Sequence, residues 1–388
     1  MWGRRRGVCG IKKMPESDQK LSRNIFKESF STLPDPRRTN KGNLIYSLEE
    51  ILFLTISAVI SGCNTWTAIA EYGRIKQEWF RKFYPYKKIP SHDAISDLFS
   101  VLNSETFAEC FINWVHEIAV KTESDIVAID GKTVRGAASK GNKFPLHIVS
   151  AFCTKNRLCL GQRAVEEKSN EITAIPKLLA LLTLEGCIVT TDAMGCQKEI
   201  AGKIRDQKAD YILQVKGNQK DLEEQMEDIF NSKASRKINL DTSMGHGRIE
   251  KRQCEVIAVK EVLLEGRENW KDLQTLVRIK SERIMKKTGD SSTEYRYYIS
   301  SLKDDAGLLN KSIRSHWGIE NNLHWNLDVI FKEDGQLKRK GNSAKNYNII
   351  AKVALGLLVN EKTEKLTKPL KRLKASIDDR YRELVLKV

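Results

Sequence analysis

Residues 126–136 read Ile126-Val127-Ala128-Ile129-Asp130-Gly131-Lys132-Thr133-Val134-Arg135-Gly136. Four apolar residues, three of them β-branched, run into an Asp-Gly pair and then into cations. A continuous apolar run closed by a turn signal predicts a strand buried on both faces. Asp130 then stands at the carboxyl end of that strand, where open α/β sheets hold their ligands. Gly131 would let backbone, a phosphate or a cation approach closely. Taken alone, the stretch fits a plain turn as well as it fits chemistry, so later carboxylates must decide.

The next hundred residues supply one. Residues 146–152 and 157–162 predict a hairpin about Lys155-Asn156. A helix ending near Leu182 follows, with Pro176 expected only in its first turn. Residues 187–191 predict a fourth strand ending on Asp192, Ala193-Met194-Gly195 turns into a helix reaching Gln207, and 211–215 predicts a fifth strand. Three strands, helix, strand, helix, strand is the order of the ribonuclease H-like fold, in which strands one and four are neighbours. Asp130 and Asp192 would then meet.

After residue 215 the pattern changes. A charged helix to about Phe230 and strands near 254–259, 274–280 and 293–300 predict a β-rich insertion at about 216–305. The fold class expected is therefore α/β: a ribonuclease H-like mixed sheet core spanning 121–360 with a β-rich insertion. An all-α N-terminal domain over 21–120, suited to docking on DNA, would precede it. There Ser47 is a helix N-cap, and Trp66, Trp79, Phe80 and Trp114 read as core.

A third carboxylate comes late. In Ile313-Arg314-Ser315-His316-Trp317-Gly318-Ile319-Glu320-Asn321-Asn322-Leu323-His324-Trp325, the residues His316, Glu320, His324 and Asp328 are four apart, so a continuous helix would place them on one face, with Trp317, Leu323 and Leu327 packed beside it. Zinc bound by His316, Glu320 and His324 is one reading. Helical zinc ligands usually stand one turn apart, as in H-E-x-x-H, whereas these histidines are two turns apart. The other reading has Glu320 reaching a cation held by the two aspartates, and carboxylate oxygens suit Mg²⁺ or Mn²⁺. A merely solvated polar face is the third. His92, His116 and His147 read as structural.

Composition narrows the partner. Lys and Arg number 66 against 50 Asp and Glu, a net charge of +16 over 388 residues. Such an excess points to a polyanion, nucleic acid ahead of an anionic membrane. The eight cysteines are scattered without a C-x-x-C pair, which favours reduced thiols in the cytoplasm. The most apolar run, 51–60, is too short to span a membrane. Residues 1–20 read as a basic, disordered arm or as the product of a start at Met1 where Met14 is the true one. The tail 361–388 holds nine Lys/Arg against four Asp/Glu from Lys362 on, and is expected to extend the basic surface.

Five motifs in order then resemble one family: Ile129 to Gly136, Thr191-Asp192-Ala193-Met194-Gly195-Cys196-Gln197, Lys216-Gly217-Asn218-Gln219, His246-Gly247-Arg248-Ile249-Glu250-Lys251-Arg252 and His316-Trp317-Gly318-Ile319-Glu320-Asn321. Together with Ile89-Pro90-Ser91-His92-Asp93 and Lys371-Arg372-Leu373-Lys374-Ala375, they resemble the H-repeat-associated insertion-sequence transposases over nearly the whole chain. The resemblance implies a DDE transposase with Asp130, Asp192 and Glu320 as catalytic, metal-binding triad for Mg²⁺ or Mn²⁺, two ions in all. It implies double-stranded DNA as partner, both terminal repeats and target, a homodimer on that DNA, and a nucleoid-associated place in the cytoplasm. Lys132, Arg135, Lys216, Asn218, Gln219, His246, Arg248, Arg252, Arg314 and His316 flank the motifs as candidate DNA contacts. Related families carry a Tyr, Arg, Glu, Lys signature around the glutamate; here His316 and Leu327 stand at the Arg and Lys positions. A degenerate transposase descendant that binds DNA without transposing, a plain DNA-binding protein with structural carboxylates, and a ribonuclease H-like nuclease are the competing readings.

Overall fold

A computed structural model describes residues 28–37, 44–118, 125–137, 145–166, 170–245 and 247–388. The basic arm and both candidate start residues lie outside the described residues, as does His246. Among the described residues no helix is long and apolar enough to cross a membrane.

Helices α1 (Leu48–Ile60), α2 (Trp66–Ile75), α3 (Gln77–Phe80), α4 (His92–Val101) and α5 (Ser104–Ile118) precede the first strand. Helix α1 begins in a capping box, where Ser47 Oγ accepts from Glu50 N and Glu50 Oε2 accepts from Ser47 N at 2.7 Å. Every residue of α1 except Glu49 is buried, so it is a central helix and not an amphipathic surface one.

The sheet starts with β1 (Ile126–Thr133), β2 (His147–Cys153) and β3 (Leu158–Ala164), followed by α6 (Glu171–Leu179), β4 (Ile188–Thr191), α7 (Lys198–Asp206) and β5 (Asp210–Val215). Strand β1 pairs antiparallel with β2 and parallel with β4, and β4 is parallel to β5. Val127 and Ile129 enter one apolar cluster with α6 and α7, while Ala128 enters the cluster built by the N-terminal helices. Apolar side chains on both faces are what the unbroken run from Ile126 requires. Pro176 departs from expectation, since it is the sixth residue of α6 and not part of the first turn. Burial of Ala174, Ile175, Leu178 and Leu179 offsets the backbone hydrogen bond it cannot donate.

The segment expected as a β-rich insertion with three strands carries four. After α8 (Lys220–Asn231) come β6 (Lys237–Gly245), β7 (Arg248–Ala258), β8 (Thr275–Met285) and β9 (Ser291–Ser300). They extend the same sheet, giving nine strands in the order β3-β2-β1-β4-β5-β9-β8-β7-β6. Strand β6 escaped the sequence reading because its pattern is inverted. Ile238, Leu240 and Met244 are exposed, while Asn239 and Asp241 face the following helix through Asn310 and Arg314.

That helix is α9 (Ala306–His316); a π-helical turn (Glu320–His324), α10 (Trp325–Val329), α11 (Ser343–Asn360), α12 (Lys368–Ile377) and α13 (Asp379–Leu386) complete the chain. Helix α11 is buried along most of its length and shares one continuous core with α1, α4 and α5. The C-terminal tail, expected as basic surface, folds into α12 and α13 against that core and turns Lys371, Arg372 and Arg382 inward, while Lys362, Lys365 and Arg380 stay exposed. Arg382 is fully buried with its guanidinium 4.0 Å from the Trp79 ring, and Arg372 donates to Val59 O and Asn64 Oδ1. The correction is physical: long cationic side chains bury their stems when carbonyls and ring faces receive their heads.

One buried ion cluster ties β1 to the end of the chain. Lys132 Nζ lies 2.6 Å from Asp328, 2.7 Å from Glu333 and 3.5 Å from Asp334. Glu333 is 3 % exposed, so removing the ammonium would leave a buried carboxylate unpaired. Lys132→Gln is expected to lower the unfolding free energy by about 3 kcal/mol in urea denaturation at neutral pH. A loss under about 1 kcal/mol would show that solvent already carries these charges.

Candidate active site

The register of the two parallel strands fixes the first two acidic residues. Ile129 pairs with Thr191, so the next step along both strands carries Asp130 and Asp192. Asp192 immediately follows β4 and caps the turn after it, its Oδ1 accepting from Met194 N at 3.1 Å and Gly195 N at 3.3 Å. Gly195 lies against the Thr191 side chain with no room for a Cβ, which keeps this turn tight.

The third element crosses above them. His316 closes α9, and the chain continues through Trp317 into the π-turn, where Trp325 N donates to Glu320 O five residues back. Despite this break in regularity, the four residues spaced by four all face the sheet. His316 Nδ1 is 2.8 Å from Thr190 Oγ1 of β4, and Asp328 holds Lys132 of β1. Between them, His324 Nδ1 lies 3.4 Å from Glu320 Oε2 and 3.6 Å from Asp130 Oδ2. Asp130, Glu320 and His324 thus offer ligand atoms all within 4.8 Å of one another. His316, which the zinc reading would need, is committed to Thr190 and stands outside that group. Leu323 and Leu327 pack into the core as expected, but Trp317 is 45 % exposed.

Electrostatically the centre is short of positive charge. Burial, reinforced by Glu320 and Asp192, pushes the Asp130 carboxyl well above the usual range. Asp192 is also raised, by burial and then by the charge of Glu171, against the two N–H groups it accepts. Glu320 goes the other way because the His324 ring stabilises its carboxylate. Burial pushes His316 down to about 4, so it is neutral at pH 7. Two raised carboxylates beside a third are a set that a divalent cation would relieve, and the oxygen-rich donors suit one.

Two residues here escaped the sequence reading. His147, read as structural, bonds Thr133 Oγ1 through Nδ1 at 3.0 Å and Glu171 Oε1 through Nε2 at 2.6 Å. Glu171, the first residue of α6, keeps its other oxygen buried with no hydrogen-bond partner. The pair sits directly against Gly131, the neighbour of Asp130. A helix-first-turn glutamate is common for dipole reasons alone, so nothing in the sequence marked this one.

The other flanking candidates divide into four sets. Lys132 is held by its three carboxylates, and Arg135 donates its backbone N–H to Asp334 with its side chain largely in solvent. Asn218 and Gln219 brace the turn after Asp192 by donating to Ala193 O at 2.6 Å and Cys196 O at 3.0 Å. Lys216 lines the cleft of about 390 Å³ that opens over Asp130, Asp192 and Glu320. Arg248, Arg252 and Arg314 line a neighbouring groove of about 970 Å³, which shares Arg296 and Trp317 with the cleft. There Arg314 meets Asp241 at 2.7 Å, Arg248 meets Glu250 at 2.8 Å, and Arg252 Nη1 is buried without a partner.

Comparison with known proteins places this geometry. Residues 121–357 match the family described as Transposase DDE domain, and residues 27–115 match the DDE_Tnp_1-associated family. The chain belongs to the DDE transposase family. It is 42 % identical over 375 residues to "Putative transposase YncI" of Escherichia coli O157:H7, covering 94 % of this chain and 95 % of that one. It is 39 % identical over 367 residues to "H repeat-associated putative transposase YhhI" of Escherichia coli strain K12, covering 92 % and 97 %. A shorter relative, "Inactive transposase YbfQ" of the same strain, matches over 74 residues at 35 %. Membership of the DDE transposases implies use of a divalent metal, and the acidic cluster at β1 and the π-turn offers the oxygens for it.

The close approach at Gly131 can be tested without any substrate. A Cβ there would collide with Glu171 and His147, which cannot part without breaking their own bond. Gly131→Ala is expected to cost about 1–3 kcal/mol in calorimetric unfolding, most of it relieved in the Glu171→Ala background. Additive costs for the two changes would show that the collision is not what makes Gly131 necessary.

Proposed function

We propose that this protein cleaves DNA at the ends of an insertion element and joins the freed end to target DNA, using Asp130, Asp192 and Glu320 as its catalytic carboxylates. The observation that carries the reading is the meeting of Asp130 with Asp192, which follows the parallel strand β4, under a helical turn that delivers Glu320. Strand β1 does not stop at Asp130 in an Asp-Gly turn, as its sequence suggests, but runs on to Thr133 in pairing with β2, and Asp130 stands just past the last residue paired with β4. The order β3-β2-β1-β4-β5 within the sheet, with β2 antiparallel and β4 and β5 parallel to β1, supports a ribonuclease H-like core. Residues 21–120 are then the DNA-docking part, and 216–305 the insertion that walls the cleft.

The residues present fit Mg²⁺ or Mn²⁺, with two ions shared among the three carboxylates. Bound there, divalent cations activate the attacking oxygen and stabilise the leaving one. Asp130 and Asp192, fixed by strand register and by the turn N–H groups, supply a rigid seat, while Glu320, half exposed, closes it from above. In cleavage a water oxygen attacks phosphorus and gives up a proton to solvent, the bond to the bridging 3′ oxygen breaks, and that oxygen leaves as a 3′-hydroxyl with a proton from solvent. In joining, the 3′-hydroxyl oxygen attacks a target phosphate, loses its proton to solvent, and displaces the target's own 3′ oxygen. Lys216, Arg252 and Arg296 stand where phosphates flanking the cleft would pass. The element's terminal repeats and the target would be double-stranded DNA in the cytoplasm, held by a homodimer that pairs two ends.

The test uses the full chain, Mg²⁺ and a plasmid bearing the terminal repeats. Wild-type protein is expected to cut at the repeats, Asp192→Asn to cut at least 100-fold more slowly, and both to bind equally. Equal cutting by the variant would remove Asp192 from the chemistry, and cutting of branched DNA without repeats would favour a plain nuclease. Binding should also weaken by at least about 100-fold between 50 and 200 mM salt, because several phosphates are neutralised together. Arg252→Gln with Arg314→Gln should flatten that slope by about two contacts.

A further inference from the structure

The carboxylate triad leaves one side chain at the centre without a task. His324 is 4 % exposed, its Nε2 is buried with no hydrogen-bond partner, and its Nδ1 points between Asp130 and Glu320. Both carboxylate oxygens stand farther from Nδ1 than a good N–H···O bond, at 3.6 and 3.4 Å, so this buried nitrogen faces two acceptors without a close bond to either. The Lys132 cluster and the His316–Thr190 bond anchor the helical run on either side, so His324 is not needed to hold the run on the sheet.

Its spacing suggests the use. Divalent ions bind oxygen and nitrogen at about 2.0–2.3 Å, which puts neighbouring ligands around one ion roughly 3–3.7 Å apart. Separations of 3.4 Å to Glu320 Oε2 and 3.6 Å to Asp130 Oδ2 fall in that range, and the third pair lies within 4.8 Å. Glu320 and His324, four residues apart and on one face, are the first and last residues of the π-turn, and such turns recur at functional sites.

We propose that His324 Nδ1 is a ligand of the same cation as Asp130 and Glu320, so that one of the two metal positions is a two-carboxylate, one-imidazole site and the other, bearing Asp192, is carboxylate alone. The inference rests on the metal-dependent reading above. A nitrogen donor favours first-row transition ions over Mg²⁺. The two positions therefore differ in preference, with Mn²⁺ binding more tightly at His324 than at the Asp192 position.

Pulsed electron paramagnetic resonance on the full chain loaded with one equivalent of Mn²⁺ reads this directly. Wild-type protein is expected to show ¹⁴N modulation from a coordinated imidazole, converted to the ¹⁵N pattern when the protein is grown on ¹⁵N-histidine. His324→Gln should lose the modulation and bind Mn²⁺ at least tenfold more weakly, with Mg²⁺ affinity changed less. His316→Gln and His147→Gln should keep it, which identifies His324 even where His324→Gln fails to fold. Absence of nitrogen modulation in bound wild-type Mn²⁺, or its survival in folded His324→Gln, overturns the ligand assignment while leaving the carboxylate site intact. Failure of the underlying reading looks different: Asp130→Asn and Glu320→Gln would then leave Mn²⁺ affinity unchanged.

Discussion

The parallel register of β1 and β4 is the constraint on which the rest depends. Once Ile129 stands beside Thr191, Asp130 and Asp192 must end up next to one another, whatever their charges prefer. Apolar side chains on both faces hold that register: Val127, Ile129 and Val189 lie in the cluster under α6 and α7, and Ala128 in the core of the N-terminal helices. Sliding either strand by one residue would turn these side chains into the wrong layer. Hydrophobic burial thus over-determines the approach of two carboxylates that electrostatics alone would separate; that burial raises the proton affinity of both, with Glu320 and then Asp192 adding to it at Asp130 and Glu171 adding to it at Asp192. Strain of this kind is expected where chemistry is done.

Glu320 is delivered by a segment that is secured on both sides of it. His316, neutral and buried, bonds Thr190, and Asp328 joins Glu333 and Asp334 around Lys132. Both anchors lie on the two strands that carry the aspartates, so the helical run cannot shift without dragging the sheet. The turn between them is therefore free to adopt the less regular π geometry, and Glu320 itself remains half exposed. Stability and chemistry are assigned to adjacent residues of the same face.

Much of this was legible in the sequence because the signals were local. An apolar run leading into Asp130 and a second ending in Asp192 located both strands, although β1 continues through Gly131 to Thr133 where an Asp-Gly turn was expected, and a spacing of four along 316–328 placed one face on the sheet. What stayed hidden depends on contacts between distant segments. Strand β6 reads as loop because its apolar residues point to solvent and its polar ones bond α9. The inward turn of Arg372 and Arg382 cannot be told from a charged surface until Trp79, Phe331 and the carbonyls that receive them are in place. Glu171 and His147 carry no pattern at all, and their position is apparent only from the Cβ that Gly131 lacks.

The buried cations also change how the net charge of +16 should be weighed. Lys338 sits 3.8 Å from the Tyr347 ring and 4.8 Å from that of Trp66, and burial pushes its ammonium down to about 7. Lys352 is sealed against Ser150 and Gln162, and Arg372 and Arg382 lie in the N-terminal core. These groups bond carbonyls, hydroxyls and ring faces, and contribute little field at the surface. What a polyanion would meet is therefore smaller than the total and more sharply placed: the cations around the groove, and beside them an acidic pit. A divalent cation in the pit, as the proposed function has it, would reconcile the two, since a bare cluster of carboxylates would repel the phosphates its own rim attracts. On the proposed function, the acidic centre and the basic rim are two halves of one requirement, joined through the cation that Asp130, Asp192 and Glu320 would hold.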